Sequence, residues 1–241
     1  MSNEDQLRAL ERKVEQLTHQ VGVLEDTNAV RHLQFKYGYY LDKCLYDEVV
    51  DLYSDDCEIH FVGGIFRGKT SARRLYCDRF RARFTNGNNG PVLGFLLDHL
   101  ILQDIIDIAP DRKLARARMR VFMQAGRHRD FTDAAHPQRQ WWEGSLYENV
   151  YVKEDGVWKM KVLNYRPVWH ADFDKGWALT PPDYVQFYSK AFPEDPVGPD
   201  ELEQPTPPLW PATDVLPFHY PHPVTGREVK LEPPRRLAPA T

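Results

Sequence analysis

The chain has 241 residues, a net charge of −4 at pH 7 and 42% hydrophobic residues, a composition typical of a soluble chain that buries a core. Its 31 basic residues are interleaved with 35 acidic ones, so a nucleic-acid partner is not expected. No apolar run approaches the roughly 20 residues of a membrane span, and the charged N-terminal stretch lacks the apolar segment of a signal peptide. We therefore expect a cytoplasmic protein without a membrane partner.

The first 27 residues carry apolar side chains at spacings of three and four. This spacing predicts an amphipathic helix over residues 1–27, whose narrow seam docks on the body of the protein or on the same helix of a neighbouring subunit. We therefore expect a homo-oligomer, and the alternation of valine with leucine favours two parallel strands of coiled coil. Thr27 and Asn28 are predicted caps, after which a second helix runs to about Tyr53. The seam consists of Leu7, Leu10, Val14, Leu17, Val21 and Leu24.

Between about residues 57 and 169 the apolar period changes to two, which is typical of strands. Residues 154–156, with the sequence EDG, predict a hairpin turn between the last two strands, and residues 68–84 predict a helix. This order indicates an α+β domain over residues 28–169, in which a curved, mostly antiparallel sheet wraps against helices. The predicted strands are Cys57–Val62, His99–Ile108, Leu114–Gln124, Trp141–Lys153 and Val157–Val168.

Residues 170–241 form a third zone, rich in proline and aromatic residues. Sixteen of the 19 prolines lie between Pro167 and Pro239, which excludes a regular packed domain there. The aromatic residues are too numerous for a solvated linker. We expect an extended arm, with a short helix near Asp183–Lys190, that lies across its own body or that of a neighbouring subunit.

The common cofactor and metal motifs are missing from the sequence. There is no glycine-rich phosphate loop, no dinucleotide fingerprint, no nucleophile elbow and no zinc-protease motif. His219 and His222 lie among prolines, where no helix aligns the two rings, and no third ligand is evident. Three cysteines without CxxC spacing are expected to be buried thiols. No cofactor and no metal are expected.

Asp42 is the first candidate for a catalytic residue. It lies on a predicted helical stripe that is otherwise apolar and aromatic, where burial would raise its pKa and a partner would be needed to keep it ionised. His99, a single histidine in a strand of Leu and Ile, supplies that partner. Such a pair in a closed pocket performs general acid–base catalysis without a cofactor. The alternatives are that Asp42 pairs with Lys43 or an arginine at the edge of the stripe, and that His99 is a satisfied core residue.

Alternation along two predicted strands gives the other pocket candidates. In segment 114–124 the apolar face is expected to line the cavity, with the arginines facing solvent, a helix or another subunit. In segment 141–148 either face could point inward. Tyr147 would supply a phenolic donor for catalysis and Trp141 a stacking surface. The predicted substrate-binding residues are Tyr39, Tyr40, His60, Phe61, Met119, Val121, Met123, Trp141 and Ser145.

Four segments between residues 28 and 169 carry a family resemblance: YYLDKCLYDEVVDLYSDDCEIHF, GIFRGKTSARRLY, LLDHLIL and LYENVYVKEDGVWKMKVLNYRPVW. Through these segments the chain resembles the SnoaL-like branch of the nuclear transport factor 2 superfamily. The resemblance implies a cone-shaped α+β barrel with a pocket at its open end. The nearest functional analogy within the superfamily is scytalone dehydratase, a cofactor-free lyase that forms a trimer, so the resemblance favours a trimer over a dimer.

The resemblance aligns Asp42 with the helix aspartate of scytalone dehydratase, His99 with its first pocket histidine and Ser145 with a pocket serine. The second pocket histidine falls at Met123, a pocket asparagine at Tyr147 and a pocket tyrosine at Phe61. These departures imply a bulkier, more aromatic substrate.

The resulting hypothesis is a cofactor-independent lyase that dehydrates, or releases formaldehyde from, a small hydroxylated aromatic compound such as a lignin-derived diaryl diol. The alternatives are an isomerase or polyketide cyclase with the same pocket, and a non-catalytic ligand-binding or structural subunit, such as the small subunit of a ring-hydroxylating dioxygenase.

Overall fold

The N-terminal segment forms one continuous helix in the computed structural model, which describes residues 2–133, 139–212 and 216–232. Helix α1 spans Asn3–Asp42 and begins with a capping box in which the Ser2 side chain accepts the Asp5 amide. The predicted break at Thr27–Asn28 is wrong. The Thr27 hydroxyl donates within the helix to the Val23 carbonyl at 2.8 Å instead of capping a new helix.

The predicted apolar seam of α1 packs on nothing within the described chain. All six side chains, from Leu7 to Leu24, are between 47% and 65% exposed. From Gly22 onward one side of the helix becomes buried against the body. The seam is therefore an open apolar surface, and the oligomer expected from it, with a trimer favoured, stays a prediction. Among the described residues, no helix combines the length and the apolar character needed to cross a membrane.

Asp26 anchors the point at which α1 meets the sheet. Its carboxylate accepts hydrogen bonds from Arg112 Nε at 2.6 Å, Lys153 Nζ at 2.5 Å and Trp158 Nε1 at 2.9 Å. Burial raises the pKa of Asp26, but Lys153 and Arg112 outweigh it, so the net pKa lies below the ordinary value. These contacts fix the helix along the sheet and so determine where its last residue, Asp42, projects.

The chain between α1 and the main sheet is more segmented than predicted. A single helix to about Tyr53 was expected, but α1 ends at Asp42 and a separate helix α2 follows, so the stripe proposed for Asp42 does not continue. The predicted helix over 68–84 forms, with a π-helical stretch at Arg74–Phe80 between α3 and α4. The elements are α2 (Tyr46–Asp51), β1 (Tyr53–Phe61), β2 (Gly64–Arg67), α3 (Gly68–Arg73) and α4 (Arg81–Thr85).

The sheet is curved and open, with the order β3-β4-β5-β6-β1-β2-β7. All neighbouring strands pair antiparallel except β1 and β6, which are parallel. The predicted α+β cone, with a mostly antiparallel sheet against helices, is therefore confirmed. The predicted turn at 155–156 is confirmed too, since Asp155 and Gly156 both have positive φ. The remaining strands are β3 (Phe95–Ile108), β4 (Leu114–Arg127), β5 (Gln140–Glu154), β6 (Val157–Asp172) and β7 (Glu201–Leu202).

The arm lies across its own body. A short strand, β7, pairs with β2, and the backbone amide of Tyr188 donates to the Val62 carbonyl at 3.3 Å. The helix predicted near Asp183–Lys190 is wrong, because that segment consists of turns, bends and irregular chain; the only helix of the described arm is α5 (Gly176–Leu179). Parts of the predicted arm, 213–215 and 233–241, lie outside the described residues.

Candidate functional site

Asp42 and His99 meet where α1 ends against strand β3. Asp42 Oδ1 lies 2.7 Å from His99 Nδ1 and also accepts the backbone amide of His99 at 3.0 Å. Both side chains are about nine-tenths buried, at 9% and 10% exposed. The structure thus brings together the two residues proposed as an acid–base pair, while their role in a reaction stays a prediction.

The geometry assigns the tautomer of the imidazole. An ionised carboxylate only accepts hydrogen bonds, so Nδ1 of His99 carries a proton and Nε2 of the neutral ring is left as a base. Asp42 also stabilises the imidazolium that forms when Nε2 takes up a proton. The pair is therefore arranged for proton transfer.

The strand register continues from His99 across the concave face. His99 lies opposite Met123, Met123 opposite Glu143, and Glu143 opposite His170, on four successive strands. Directly opposed residues of antiparallel strands place their side chains on the same face. One row therefore contains two carboxylate–imidazole pairs, Asp42–His99 and Glu143–His170. Met123 separates them, with His99 and Glu143 two strand spacings apart, roughly 10 Å.

The Glu143–His170 pair is enclosed by hydrogen-bond donors. Glu143 Oε1 lies 3.1 Å from His170 Nδ1 and accepts a hydrogen bond from Trp141 Nε1 at 2.9 Å. Oε2 accepts the hydroxyl of Tyr165, which in turn accepts the hydroxyl of Ser145 at 2.7 Å. The His170 and Glu143 side chains are 6% and 10% exposed.

The surroundings of Glu143 favour its charged form. Burial raises the pKa of Glu143, but the neighbouring His170 and the hydrogen bonds from Tyr165 and Trp141 outweigh it, and the net pKa lies below the ordinary value. Burial, together with the charge of Glu143, raises the pKa of Tyr165 far above 10, so that hydroxyl stays protonated and donates. The cluster holds a buried negative charge next to an imidazole.

A bulge in strand β6 explains why the sequence did not indicate His170. Strict alternation from the buried Tyr165 places Pro167 and Trp169 inside and His170 outside. The register shifts by one residue, since Ser145 lies opposite Pro167 but Gly144 lies opposite Trp169. This bulge turns Trp169 outward and His170 inward. Gly144 makes room for the change, because a Cβ there would lie 2.3 Å from Trp169 Nε1.

A cavity of about 810 Å³ opens beside the second pair, within the usual range for small-molecule sites. Its walls come from strands β1, β3, β4, β5 and β6, from the stretch Arg79–Phe84 and from the arm. Glu143 and His170 line it, whereas Asp42 and His99 are not among its lining residues. The arm contributes Tyr184–Lys190 and Glu194–Pro196, so this chain covers its own cavity.

Some of the predicted substrate-binding residues line the cavity, others pack in the core or on the inner face of the sheet, and two lie elsewhere. Phe61 and Trp141 line the cavity. Tyr40 packs half-buried against the core, and four further residues of the set lie buried on the inner face of the sheet. These four are Met119, Val121, Met123 and Ser145.

Tyr39 and His60 lie elsewhere, contrary to the prediction. Tyr39 is 73% exposed because Tyr37 and Leu41 occupy the inner side of α1. His60 points to the opposite face of β1 from Ile59 and Phe61, with Nε2 2.6 Å from Glu58 Oε1. Neither lines the cavity.

Tyr147 lies in a buried group of tyrosines in the cone. It is 2% exposed and its ring meets that of Tyr37 edge-on at 6.0 Å. The hydroxyl of Tyr76 lies 3.0 Å from that of Tyr37 and 2.9 Å from that of Tyr53. Burial raises the pKa of Tyr147 far above 10, so its hydroxyl can donate a hydrogen bond but does not act as a base at neutral pH.

Among the described residues, no group of three or more His, Cys, Asp or Glu side chains is placed to hold a metal ion. His219 pairs with Glu148 and lies 3.1 Å from Asp107 Oδ2. The three cysteines are free thiols; Cys44 and Cys57 are buried, and Cys77 is half-buried.

Comparison with known proteins assigns the family. A family model for the SnoaL-like domain matches residues 22–164, more than half of the chain. The chain belongs to the SnoaL-like domain family. It is thus a member of the nuclear transport factor 2-like superfamily, in agreement with the cone-shaped fold of this SnoaL-like protein. No curated protein matches it.

Solved structures share the fold of the SnoaL-like domain. A scytalone dehydratase candidate from Novosphingobium aromaticivorans is 20% identical, with a TM-score of 0.51 over 64% of this chain and 91% of that one. A hexachlorocyclohexane dehydrochlorinase, LinA-type3 from Novosphingobium barchaimii LL02, is 16% identical, with a TM-score of 0.52 over 67% of this chain and 99% of that one. At these identities the likeness establishes the fold alone.

Proposed function

We propose that this SnoaL-like protein is a cofactor-independent lyase that acts on a small hydroxylated aromatic compound such as a diaryl diol. The observation that carries the proposal is the shielded contact of Asp42 Oδ1 with both the Nδ1 and the backbone amide of His99. The names of two structural neighbours, a dehydratase candidate and a dehydrochlorinase, support elimination as the type of reaction for this fold.

In the proposed reaction Nε2 of His99 removes a proton from a hydroxyl group or an activated carbon of the substrate. For dehydration, the electrons of the broken C–H bond form a double bond as the neighbouring C–O bond breaks, and the departing hydroxide takes the proton held by Nε2 of His99 and leaves as water. For formaldehyde release, loss of the hydroxyl proton forms the carbonyl of formaldehyde as the adjacent C–C bond breaks. The electrons of that C–C bond form a C=C bond as the neighbouring C–O bond breaks, and the departing hydroxide takes the same proton from His99 and leaves as water. Asp42 stabilises the imidazolium, Tyr147 donates to the leaving oxygen, and the aromatic ring delocalises developing charge.

The test is turnover of a diaryl diol by the full chain and by the variants His99→Gln and Asp42→Asn. We expect kcat/KM to fall by about 10²- to 10⁴-fold in both, because general acid–base catalysis is worth that much. Product is followed by the absorbance of the conjugated aromatic compound and by a colorimetric assay for formaldehyde. His128→Gln is the control, since the His128 side chain is 60% exposed and belongs to neither pair. Full activity in both pair variants would exclude the proposed role of Asp42 and His99.

A further inference from the structure

Three arginines that line the cavity have no carboxylate partner in the described part of the chain. Among the described residues, no carboxylate oxygen lies within 4.0 Å of the guanidinium nitrogens of Arg83, Arg127 or Arg139. The neighbouring Arg79 differs, because its Nη1 lies 3.0 Å from Asp195 Oδ2. Arg127 and Arg139 are half-buried, whereas Arg83 is exposed at the edge of the cavity. Half-buried arginines are usually paired, so this arrangement needs an explanation.

The acidic groups that line the cavity contact other residues. Glu143 pairs with His170, Asp195 pairs with Arg79, and Glu194 Oε1 lies 2.9 Å from Lys190 Nζ. The positive charge of the three arginines is therefore not balanced within the described chain. An anion from solution can balance it.

The arginines are held in place by aromatic rings and backbone. Arg127 lies 5.2 Å over the ring of Phe95, and its Nη2 donates to the Phe84 carbonyl at 2.9 Å. Arg139 lies 5.0 Å over the ring of Trp141 and 4.7 Å over that of Tyr184. These contacts fix the guanidinium groups but leave donors free.

The arginines also disfavour one another's charge. Burial lowers the pKa of Arg83, and the positive charges of Arg139 and Arg79 lower it further. An anionic ligand placed among them would remove this repulsion.

The rest of the cavity suits an aromatic ring. Successive pairs among Phe61, Phe80, Phe84 and Phe95 have ring centroids 5.2, 5.6 and 5.5 Å apart, forming a continuous aromatic wall. His170 adds a polar group, because its Nε2 is buried, lacks a hydrogen-bond partner among the described residues and belongs to a ring that lines the cavity.

We propose that this cavity binds an aromatic carboxylate. The carboxylate would contact Arg83, Arg127 and Arg139, the ring would lie along the phenylalanine wall, and His170 Nε2 would meet a hydroxyl substituent. Arginine recognises carboxylates through paired, parallel hydrogen bonds, which a neutral amide does not reproduce. The inference rests on the proposed function only in naming its substrate class, since binding is measured without turnover.

The experiment measures binding of 4-biphenylcarboxylate, 4-biphenylcarboxamide and inorganic phosphate to the full chain by calorimetry. We expect the carboxylate to bind at least tenfold more tightly than the neutral amide, with an affinity that falls as salt is added. Equal affinities for the two compounds, or no binding of the carboxylate at millimolar concentration, would overturn the proposal. Phosphate binding as tight as that of the carboxylate would also overturn it, since the site would then be a general anion site.

Variants at the arginines test the position of the carboxylate. Arg83→Gln and Arg139→Gln are expected to lose at least tenfold in carboxylate affinity and little in carboxamide affinity. Arg83→Lys keeps the positive charge but loses the paired donors, so its carboxylate affinity should lie between those of the wild type and Arg83→Gln. This variant also controls for misfolding of Arg83→Gln. Arg120→Gln is the matched control, because Arg120 is exposed and its Nε donates to Gln103. Unchanged carboxylate affinity in both glutamine variants would contradict the assignment.

The two proposals fail separately. His99→Gln should bind the carboxylate like the wild type. If the chain binds the carboxylate but turns over no aromatic diol, only the proposed lyase function is excluded. A chain that turns over the diol but binds acid and amide equally would remove only the carboxylate site.

Discussion

The two carboxylate–imidazole pairs share a row of the sheet but differ in how they are held. Asp42 comes from the end of a helix, and its described hydrogen bonds are the two from His99. Glu143 comes from the middle of the sheet, accepts hydrogen bonds from Trp141 and Tyr165, and lies 3.1 Å from His170 Nδ1. The first pair leaves its histidine a defined base, whereas the second is built into the wall of a cavity. The first carboxylate therefore depends on one partner residue, whereas the second is held by several.

The largest expected effect on stability is the difference between a variant of Glu143 and a variant of Asp42. Glu143→Ala should lower the free energy of unfolding by about 3–5 kcal/mol, because it removes one member of a buried ion pair and leaves Tyr165 and Trp141 without an acceptor. Asp42→Asn should lower it by only about 1 kcal/mol, since the amide oxygen can still accept the backbone amide of His99. Urea denaturation at pH 7 measures both. Equal losses would show that the two carboxylates are held alike.

A smaller effect is expected from filling the space beside the bulge. Gly144→Ala places a Cβ 2.3 Å from Trp169 Nε1, in a ring packed against Phe122 and Trp177, and should destabilise by about 1–3 kcal/mol. Gly38→Ala is the matched control near the first pair, because its Cβ meets only the flexible end of Ile101 at 2.8 Å. The gain in helix propensity offsets that contact, so Gly38→Ala should be about neutral. Thermal unfolding of the two variants gives the comparison, and a neutral Gly144→Ala would show that the bulge tolerates the methyl group.

The smallest effect is on the pH dependence of stability. The folded-state pKa of Glu143 lies below its ordinary value of 4.5, so its stabilisation is complete above that value and is lost as the pH falls through the folded-state pKa. Between about pH 5 and pH 3, stability should therefore fall more steeply in the wild type than in Glu143→Gln. Denaturant titrations at three pH values measure the slope. Identical slopes of stability against pH in the two proteins would show that protonation of Glu143 does not contribute to the loss of stability in acid.

The sequence predicted the first pair because its signal was local. A carboxylate on an otherwise apolar and aromatic helical stripe and a lone histidine in an apolar strand stand out against their neighbours, and the end of α1 against β3 brings them together. The inward face of β4 followed from alternation, with Met119, Val121 and Met123 all buried. Alternation in β5 left two faces open, and the buried side carries Trp141.

What sequence reasoning missed depends on shifts of register and on distant packing. A single extra residue in β6 reversed which of Trp169 and His170 faces inward, and residue types alone do not place such a bulge. The sequence did not indicate the three cavity arginines, because Arg83, Arg127 and Arg139 lie on three different segments. The continuity of α1 was missed because Thr27 and Asn28 have cap preferences that burial of Val30 on the same helix overrides.

The cavity is formed by two separate parts of the chain, the cone and the arm. The match to the SnoaL-like family ends at residue 164, so it contains Asp42, His99 and Glu143 but stops short of His170 and of every arm residue that closes the chamber. The arginines and the phenylalanine wall lie within the family match, whereas the segments that cover the cavity lie beyond it. A change confined to the arm would therefore reshape the cover of the cavity and leave the arginine side of its wall in place.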